Sequence, residues 1–282
     1  MPAETGQAPV HHDAPLALAA EWAAPAGVRA WVTTRAGGVS TGGRASLNLA
    51  MHVGDLPAAV LENRRRVRAA LALPGEPLWL RQVHGTAVVV HEAVLPPPAP
   101  VDPTDATAYP EADAAVTFER GRVLAIQTAD CLPVLLAGRD GRRLGAAHAG
   151  WRGLAAGVLE RTVEALRVPG AELVAWIGPG IGPAAFEVGD EVRETFLGWA
   201  PPPGSAVGGA EARAATAAAF TRNARGRWQA DLPRLARLRL AALGVPAVAS
   251  LPDCTYAEAD RWYSHRRDPG SGRMATLAWL EG

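Results

Sequence analysis

Short apolar runs separated by polar, glycine-rich segments dominate this chain and predict many short strands. The runs that predict strands are 28–34, 78–83, 86–91, 123–127, 132–137, 144–147, 173–177, 245–251 and 274–280. Runs 123–127 and 132–137 lie close enough in sequence to predict an antiparallel pair. Because strands joined by short loops alternate with helical segments, the pattern predicts an α+β protein with a single domain.

Apolar residues at helical spacing predict helices between these strands. Asp55 followed by Pro57 is typical of an N-cap and a first helical turn. Further helices are predicted over 154–166, from Asp190 and from the N-cap residue Asp231. The arginines in the first of these helices are predicted to form a solvated face; they are Arg64, Arg65, Arg66 and Arg68. Residues 1–20 are expected to be a flexible tail before a catalytic domain over 21–282, and 95–110 and 200–210 to be loops.

Composition narrows the classes of function. The formal net charge of the 282 residues is zero, which argues against nucleic acid or an anionic membrane as the main partner. All 28 basic residues are arginine, so a Schiff-base lysine or a phosphate-loop lysine is excluded. Two cysteines provide no disulfide framework, and no secretion signal or membrane-spanning run is found. We therefore expect a cytoplasmic protein, monomeric or weakly self-associating.

A cysteine and two histidines lie where apolar runs end, and together they indicate a metal-binding or catalytic site. Cys131 lies in a turn between Asp130 and Pro133, and His148 precedes a glycine-marked loop. His84 follows another apolar run. One thiolate and two imidazoles suit zinc and leave a fourth position for a substrate or water. The residue types therefore predict a zinc site with catalytic His84, Cys131 and His148.

Two further side chains are predicted to contact substrate near these ligands. Arg152 begins a helix just after His148, where backbone amides and a guanidinium together favour an anion such as phosphate. Gln82 alternates with His84 along the chain, so both side chains are expected on one face.

With these motifs assembled, the chain from residue 28 onward resembles the bacterial family of laccase-like polyphenol oxidoreductases, or peptidoglycan-editing factors, now associated with purine nucleoside phosphorylase activity. The resemblance rests on the ordered motifs TTRAGGVS, SLNL, ENR, RQVHG, ADCLP, HAGWRG, IGP, CTY and RRD. It implies a four-layer α/β/β/α sandwich. It also implies that His84, Cys131 and His148 are the zinc ligands.

The resemblance implies two reactions on purine nucleosides. These are phosphorolysis of adenosine, inosine and methylthioadenosine, with phosphate as the second substrate, and deamination of adenosine. For deamination we expect Asp130 to carry the proton, and we expect Arg35 and Asn48 to contact substrate. His265 departs from the residues usual in relatives, so the preferred nucleoside stays open.

Other functions are weighed against this one. A multicopper oxidase needs more imidazoles than the five histidines outside the tail, and no His-x-His pair occurs. Copper is nevertheless able to occupy the zinc site, because it binds such ligands more tightly. A hydrolase that edits peptidoglycan precursors would use Cys131 as its nucleophile. A non-catalytic binding module is a third alternative, but three convergent ligand residues would have no evident role in it.

Overall fold

The protein is described by a computed structural model that covers residues 14–91, 102–205 and 207–282. The strands are β1 (Ala17–Ala19), β2 (Val28–Thr33), β3 (Val88–His91), β4 (Ala114–Thr117), β5 (Leu124–Thr128), β6 (Leu132–Gly138), β7 (Leu144–Ala149), β8 (Leu173–Ile177), β9 (Glu187–Val188), β10 (Phe220–Arg222), β11 (Trp228–Ala230), β12 (Ala247–Ser250) and β13 (Met274–Leu280). The α-helices are α1 (Pro57–Ala70), α2 (Trp151–Ala156), α3 (Val158–Ala165), α4 (Asp190–Leu197), α5 (Gly209–Ala217) and α6 (Leu232–Ala242).

These strands form three sheets. A six-stranded mixed sheet has the order β12-β8-β6-β7-β4-β3, and a four-stranded antiparallel sheet has the order β1-β2-β13-β5. A small third sheet has the order β10-β11-β9.

The alternation of side chains along β6 shows how the layers are ordered. Val134 and Leu136 point to a core shared with α3 and α6, whereas Leu135 and Ala137 point to a core shared with the four-stranded sheet. Successive side chains of a strand face opposite sides, so one apolar run serves both cores.

The four-stranded sheet repeats this arrangement on its own two faces. Met274 and Ala278 of β13 join the core between the sheets, whereas Leu277 packs with Val67 of α1 in a third core. The layers are therefore helix, sheet, sheet and helix. The predicted α/β/β/α sandwich in one domain is confirmed.

The predicted pairing of runs 123–127 and 132–137 is wrong. β5 pairs with β13 in the four-stranded sheet, whereas β6 pairs with β7 and β8 in the six-stranded sheet. Residues 129–131 cross from one sheet to the other. At Asp130 the backbone adopts φ 93°, in the left-handed region that few non-glycine residues adopt. Cys131 therefore lies where the two sheets meet.

Further differences from the prediction concern run 78–83, the helix over 154–166 and the N-terminal tail. Run 78–83 forms isolated bridges at Leu78 and Arg81, and not a strand. The helix predicted over 154–166 is divided at Gly157, whose φ of 101° ends α2. Strand β1 lies within the predicted tail 1–20 and pairs with β2. Residues 1–13 of the predicted tail and 95–101 of the predicted loop lie outside the described residues.

Two predictions near helix ends have opposite outcomes. The side chain of Asp231 caps α6 by accepting a hydrogen bond from the backbone N–H of Arg234 at 2.9 Å, as predicted. The N-cap of α1 is Leu56, and not the predicted Asp55.

Arg64 is wrongly predicted to lie on a solvated face. Its guanidinium donates to the carbonyl of Leu49 and to the hydroxyl of Tyr109, and lies 3.9 Å from the ring centre of Trp79. These contacts compensate the cost of removing a cation from water. They involve residues distant in sequence, so the run of arginines alone does not reveal them.

Within the described ranges, we find no helix with the length and apolar character needed to span a bilayer.

Candidate active site

His84, Cys131 and His148 converge although they come from distant parts of the chain. Their potential ligand atoms all lie within 4.8 Å of one another, and Cys131 Sγ is 3.7 Å from His84 Nε2. The two imidazole rings meet edge to face at 4.8 Å between centroids. The convergence expected from the sequence is therefore present.

Asp113, which precedes β4, holds both histidines, and sequence reasoning missed it. Its Oδ1 accepts hydrogen bonds from the backbone N–H of His84 at 2.9 Å and from Nδ1 of His148 at 2.8 Å. Its Oδ2 accepts from the backbone N–H groups of Val83 and Gly85. These bonds hold His84 at φ 62°, a conformation that few non-glycine residues adopt. An acidic residue between buried alanines at the start of a strand was the signal for it.

The same contacts set the charges of the cluster. Burial opposes ionisation of Cys131, but the neighbouring His148 and His84 lower the pKa of its thiol to about 6. Burial also disfavours a charged His148, but the Cys131 thiolate and the Asp113 carboxylate raise the pKa of its imidazole to about 9. The cluster is thus a thiolate beside an imidazolium whose other nitrogen is held by a carboxylate.

The donor set fits a soft or borderline metal ion. A thiolate and two imidazoles are ligands of zinc and of copper. Because Asp113 binds Nδ1 of His148, Nε2 is the nitrogen that would bind the metal, after losing the proton it donates to Cys131. A carboxylate behind a ligating histidine is the usual outer contact of such sites. Across residues 14–91, 102–205 and 207–282, this is the one group of three histidine, cysteine or acidic side chains able to hold a metal. A second, three-copper site is not present in those ranges.

A cavity of about 340 Å³ opens onto the cluster. Its lining includes three arginines from separate segments, namely Arg152, Arg266 and Arg273. Asp130 is the one carboxylate in the lining of this cavity. The cavity therefore combines three side chains able to bind a metal with more arginines than carboxylates.

Asp130 and Gln82 both line the cavity, and their side chains also form hydrogen bonds within its walls. Asp130 accepts hydrogen bonds from the hydroxyl of Thr255 and from the backbone N–H of Arg266, each at 2.7 Å. Gln82 exchanges two hydrogen bonds of 2.8 Å with the backbone of Gln127. Gln82 and His84 both line this cavity.

Arg35 and Asn48, predicted to contact substrate, do not line the cavity. The guanidinium of Arg35 donates to the carbonyls of Ala45 and Ala259. Asn48 is fully buried, and its Oδ1 accepts from the backbone N–H groups of Ala50 and Arg273. Both residues support the loops around the cavity. Arg273 itself was missed, because a lone arginine before an apolar strand carries no motif.

Fold and site together define a four-layer α/β/β/α protein with a histidine–cysteine–histidine metal-type centre in a cationic cavity. Residues 29–281 match the family model described as multi-copper polyphenol oxidoreductase laccase, and the chain belongs to that family. The resemblance read from the motifs is therefore confirmed.

Relatives and a solved structure cover almost all of the chain. A Pseudomonas aeruginosa protein named purine nucleoside phosphorylase is 50% identical over 265 residues, which are 94% of this chain and 98% of the relative. Purine nucleoside phosphorylase YfiH of Escherichia coli is 44% identical over 260 residues, covering 92% and 97% of the two chains. The crystal structure of Neisseria meningitidis protein NMB0706 superposes with a TM-score of 0.80 at 44% identity, covering 95% of this chain and all of that one.

Proposed function

We propose that this protein is a zinc-dependent purine nucleoside phosphorylase that acts on adenosine, inosine and methylthioadenosine, and that it also deaminates adenosine. The observation that carries the proposal is one cavity lined both by the His84–Cys131–His148 cluster and by three arginines. The names of the bacterial relatives support the same activity. We further propose that it works in the cytoplasm, as a monomer or weak homo-oligomer.

Phosphorolysis needs an anion site beside the sugar. An oxygen of hydrogen phosphate forms a bond to C1′ of the ribose, and the bond from C1′ to the purine nitrogen breaks. The electron pair of that bond leaves with the purine, which takes up the proton that phosphate loses. Arginines hold phosphate by paired, charge-assisted hydrogen bonds and neutralise the charge that moves during the reaction.

His84, Cys131 and His148 would hold the zinc. Bound there, zinc supplies a Lewis acid and lowers the pKa of a water ligand. Asp113 fixes the imidazole of His148 and the backbone around His84 through its four hydrogen bonds. For deamination, Asp130 is our candidate proton carrier, because its carboxylate lines the same cavity next to Cys131. Copper is the competing ion at this ligand set.

Product analysis with the zinc-loaded protein tests the proposal. Inosine, adenosine and methylthioadenosine are incubated with and without phosphate, and the products are separated by chromatography. We expect the free base and ribose 1-phosphate, or its methylthio derivative, in the phosphate samples alone. Conversion of adenosine to inosine without phosphate reports deamination separately. If no nucleoside is cleaved in the presence of zinc and phosphate, the phosphorylase proposal is wrong.

A cysteine hydrolase of peptidoglycan precursors is the second candidate, and one arrangement favours it. Cys131, His148 and Asp113 form a chain of nucleophile, base and orienting carboxylate. This function predicts an activity on muropeptides that iodoacetamide abolishes and a chelator leaves intact. The zinc enzyme predicts the loss of nucleoside turnover when the chelator removes the metal.

A further inference from the structure

We propose that Arg273 binds the phosphate co-substrate in the cavity, an inference that rests on the proposed phosphorylase function. Arg273 comes just before β13 and is half-buried in the cavity wall. It lines the same cavity as Cys131 and His148, and burial lowers the pKa of its guanidinium although the negative charges of Cys131 and Asp130 partly oppose this. The sequence alone predicts Arg152, and not Arg273, as the residue that binds phosphate.

Arg273 differs from three other arginines that the fold withdraws from water, namely Arg35, Arg64 and Arg239. The three guanidinium nitrogens of Arg64 and those of Arg35 all donate to oxygens, and Arg239 forms an ion pair with Glu160. Among the residues that the structure describes, Arg273 has side-chain partners at Nη1 alone, the carbonyl oxygens of Ser271 and Gly272.

Desolvating a cation without an anionic partner is costly. In the described parts of the chain, we find no carboxylate within ion-pair distance of Arg273. The remaining N–H groups of Arg273, on Nε and Nη2, are the donors that a doubly charged oxyanion in the cavity would occupy. The planar guanidinium presents such donors as a fork that matches two oxygens of phosphate.

The backbone of Arg273 is held from both sides, which prepares its side chain for binding. Its N–H donates to Oδ1 of Asn48 at 3.0 Å, and its carbonyl accepts from the N–H of Leu49 at 3.2 Å. Asn48 is itself fixed by hydrogen bonds to Ala50 and Asp55. A donor group held in place before the ligand arrives loses less entropy when it binds. This explains why a fully buried asparagine stands beside the cavity.

The other two arginines of the cavity are less suited to this role. Arg152 is exposed and lies 4.5 Å from the ring centre of Trp151. Arg266 is exposed too, and its guanidinium donates to the carbonyl of Glu187 at 3.0 Å. Both add to the attraction of anions into the cavity, and neither is held as Arg273 is.

The experiment compares Arg273→Met, Arg273→Lys and Arg152→Met with wild type, using the zinc-loaded full chain. Arg161→Met is the matched control, because Arg161 lies on the surface outside this cavity. The KM values for phosphate and for inosine are measured separately. Binding of inorganic phosphate and of inosine 5′-monophosphate is measured by calorimetry without turnover. Zinc content and melting temperature show that each variant is folded and loaded.

We expect Arg273→Met to raise the KM for phosphate by roughly 10- to 100-fold, as for loss of a hydrogen bond to a charged group. The KM for inosine should change little, and phosphate binding should be lost in calorimetry. Arg273→Lys should recover part of the loss, because the charge remains but the fork does not. Arg152→Met should have a smaller effect, and Arg161→Met none.

Three results separate the possible failures. If a folded, zinc-loaded Arg273→Met protein keeps the wild-type KM and affinity for phosphate, the inference is overturned. Binding of inosine 5′-monophosphate that requires Arg273, without binding of inorganic phosphate, also overturns it and assigns the site to a nucleotide. Phosphate binding that requires Arg273, in a protein that cleaves no nucleoside, supports the subsite and contradicts the proposed function.

Discussion

Asp113 shows how one buried carboxylate organises a site to which it contributes no metal ligand. Its two oxygens accept from three backbone N–H groups and one imidazole nitrogen. Because the same carboxylate holds the His84 loop and the His148 ring, it fixes two ligands relative to each other. Outer contacts of this kind fix the orientation of metal ligands, and their loss typically costs about 10- to 100-fold in metal affinity.

We predict that Asp113→Asn lowers zinc affinity by roughly 10- to 100-fold. An asparagine keeps one acceptor oxygen, but its NH₂ group would face N–H donors that the second oxygen now satisfies. Competition with a chromophoric chelator measures the affinity. The matched control is Asp105→Asn, which weakens a surface turn at Thr107 and should leave zinc binding unchanged. Wild-type affinity in Asp113→Asn would show that Asp113 does not organise the ligands.

Gly150 provides a second test of how tightly the ligands are packed. A Cβ at this position would lie 2.8 Å from Sγ of Cys131 and 2.9 Å from Cδ2 of His84. Its φ of −67° suits any residue, so Gly150→Ala changes space and not backbone freedom. We predict roughly a tenfold or larger loss of zinc affinity, because metal sites tolerate displacements of only about 0.5 Å.

Gly208→Ala is the control for Gly150→Ala. Gly208 is likewise an N-cap glycine, with φ −70°, but nothing lies within 4 Å of its Cβ position. Both variants are compared in the same chelator titration. Equal zinc affinities in the two variants would contradict the packing described around Cys131.

At the residue scale, the sequence predicted the convergent side chains better than the residues that hold them in place. A cysteine and histidines at strand ends are visible in a single sequence, and His84, Cys131 and His148 do converge. Arg64 and Asp113 were misjudged or missed, because their roles come from hydrogen-bond partners 15 to 45 residues away in the chain. Local patterns do not contain those partners.

At the scale of elements, continuous apolar runs were predicted best. The bounds of β8 and β13 equal the predicted runs 173–177 and 274–280, because both strands are buried on both faces. β5 and β6 were correctly predicted as strands, but their pairing was wrong. A three-residue connection allows a hairpin or a crossing between sheets, and the choice depends on β13, the C-terminal strand that pairs with β5.

The contact between α2 and the His84 loop carries an element-scale prediction. A Cβ on Gly153 would lie 2.9 Å from the backbone carbonyl oxygen of Gly85. Gly153→Ala should therefore push the helix from the loop and destabilise the protein by about 1–3 kcal/mol. Urea unfolding measures this change. Gly209→Ala, in the first turn of α5 with open space around its Cβ position, should cost nothing. Equal stability of the two variants would refute the contact.

At the scale of the whole molecule, the site lies where the chain passes from one large sheet to the other. Cys131 lies in the crossing from the four-stranded to the six-stranded sheet, and His148 lies on β7 of the six-stranded sheet. His84 joins them through Asp113. A metal ion bound to all three would therefore link segments that are far apart in sequence.

Metal removal should accordingly lower global stability. At a free zinc concentration of about 100 times the dissociation constant, binding to the native state adds about 2.7 kcal/mol. Calorimetric melting with zinc and with a chelator should show a higher melting temperature for the zinc form. His148→Ala should remove most of this difference. A melting temperature that does not respond to zinc in the wild-type protein would mean that the native state does not bind it.

The central claim is that three convergent side chains hold a zinc ion needed for nucleoside cleavage. The most direct test measures zinc per chain and ribose 1-phosphate production from inosine in wild type and in His84→Ala. We predict one zinc per wild-type chain with phosphate-dependent turnover, and loss of both in a variant that stays folded. A His84→Ala protein with full zinc content and full turnover would contradict the account.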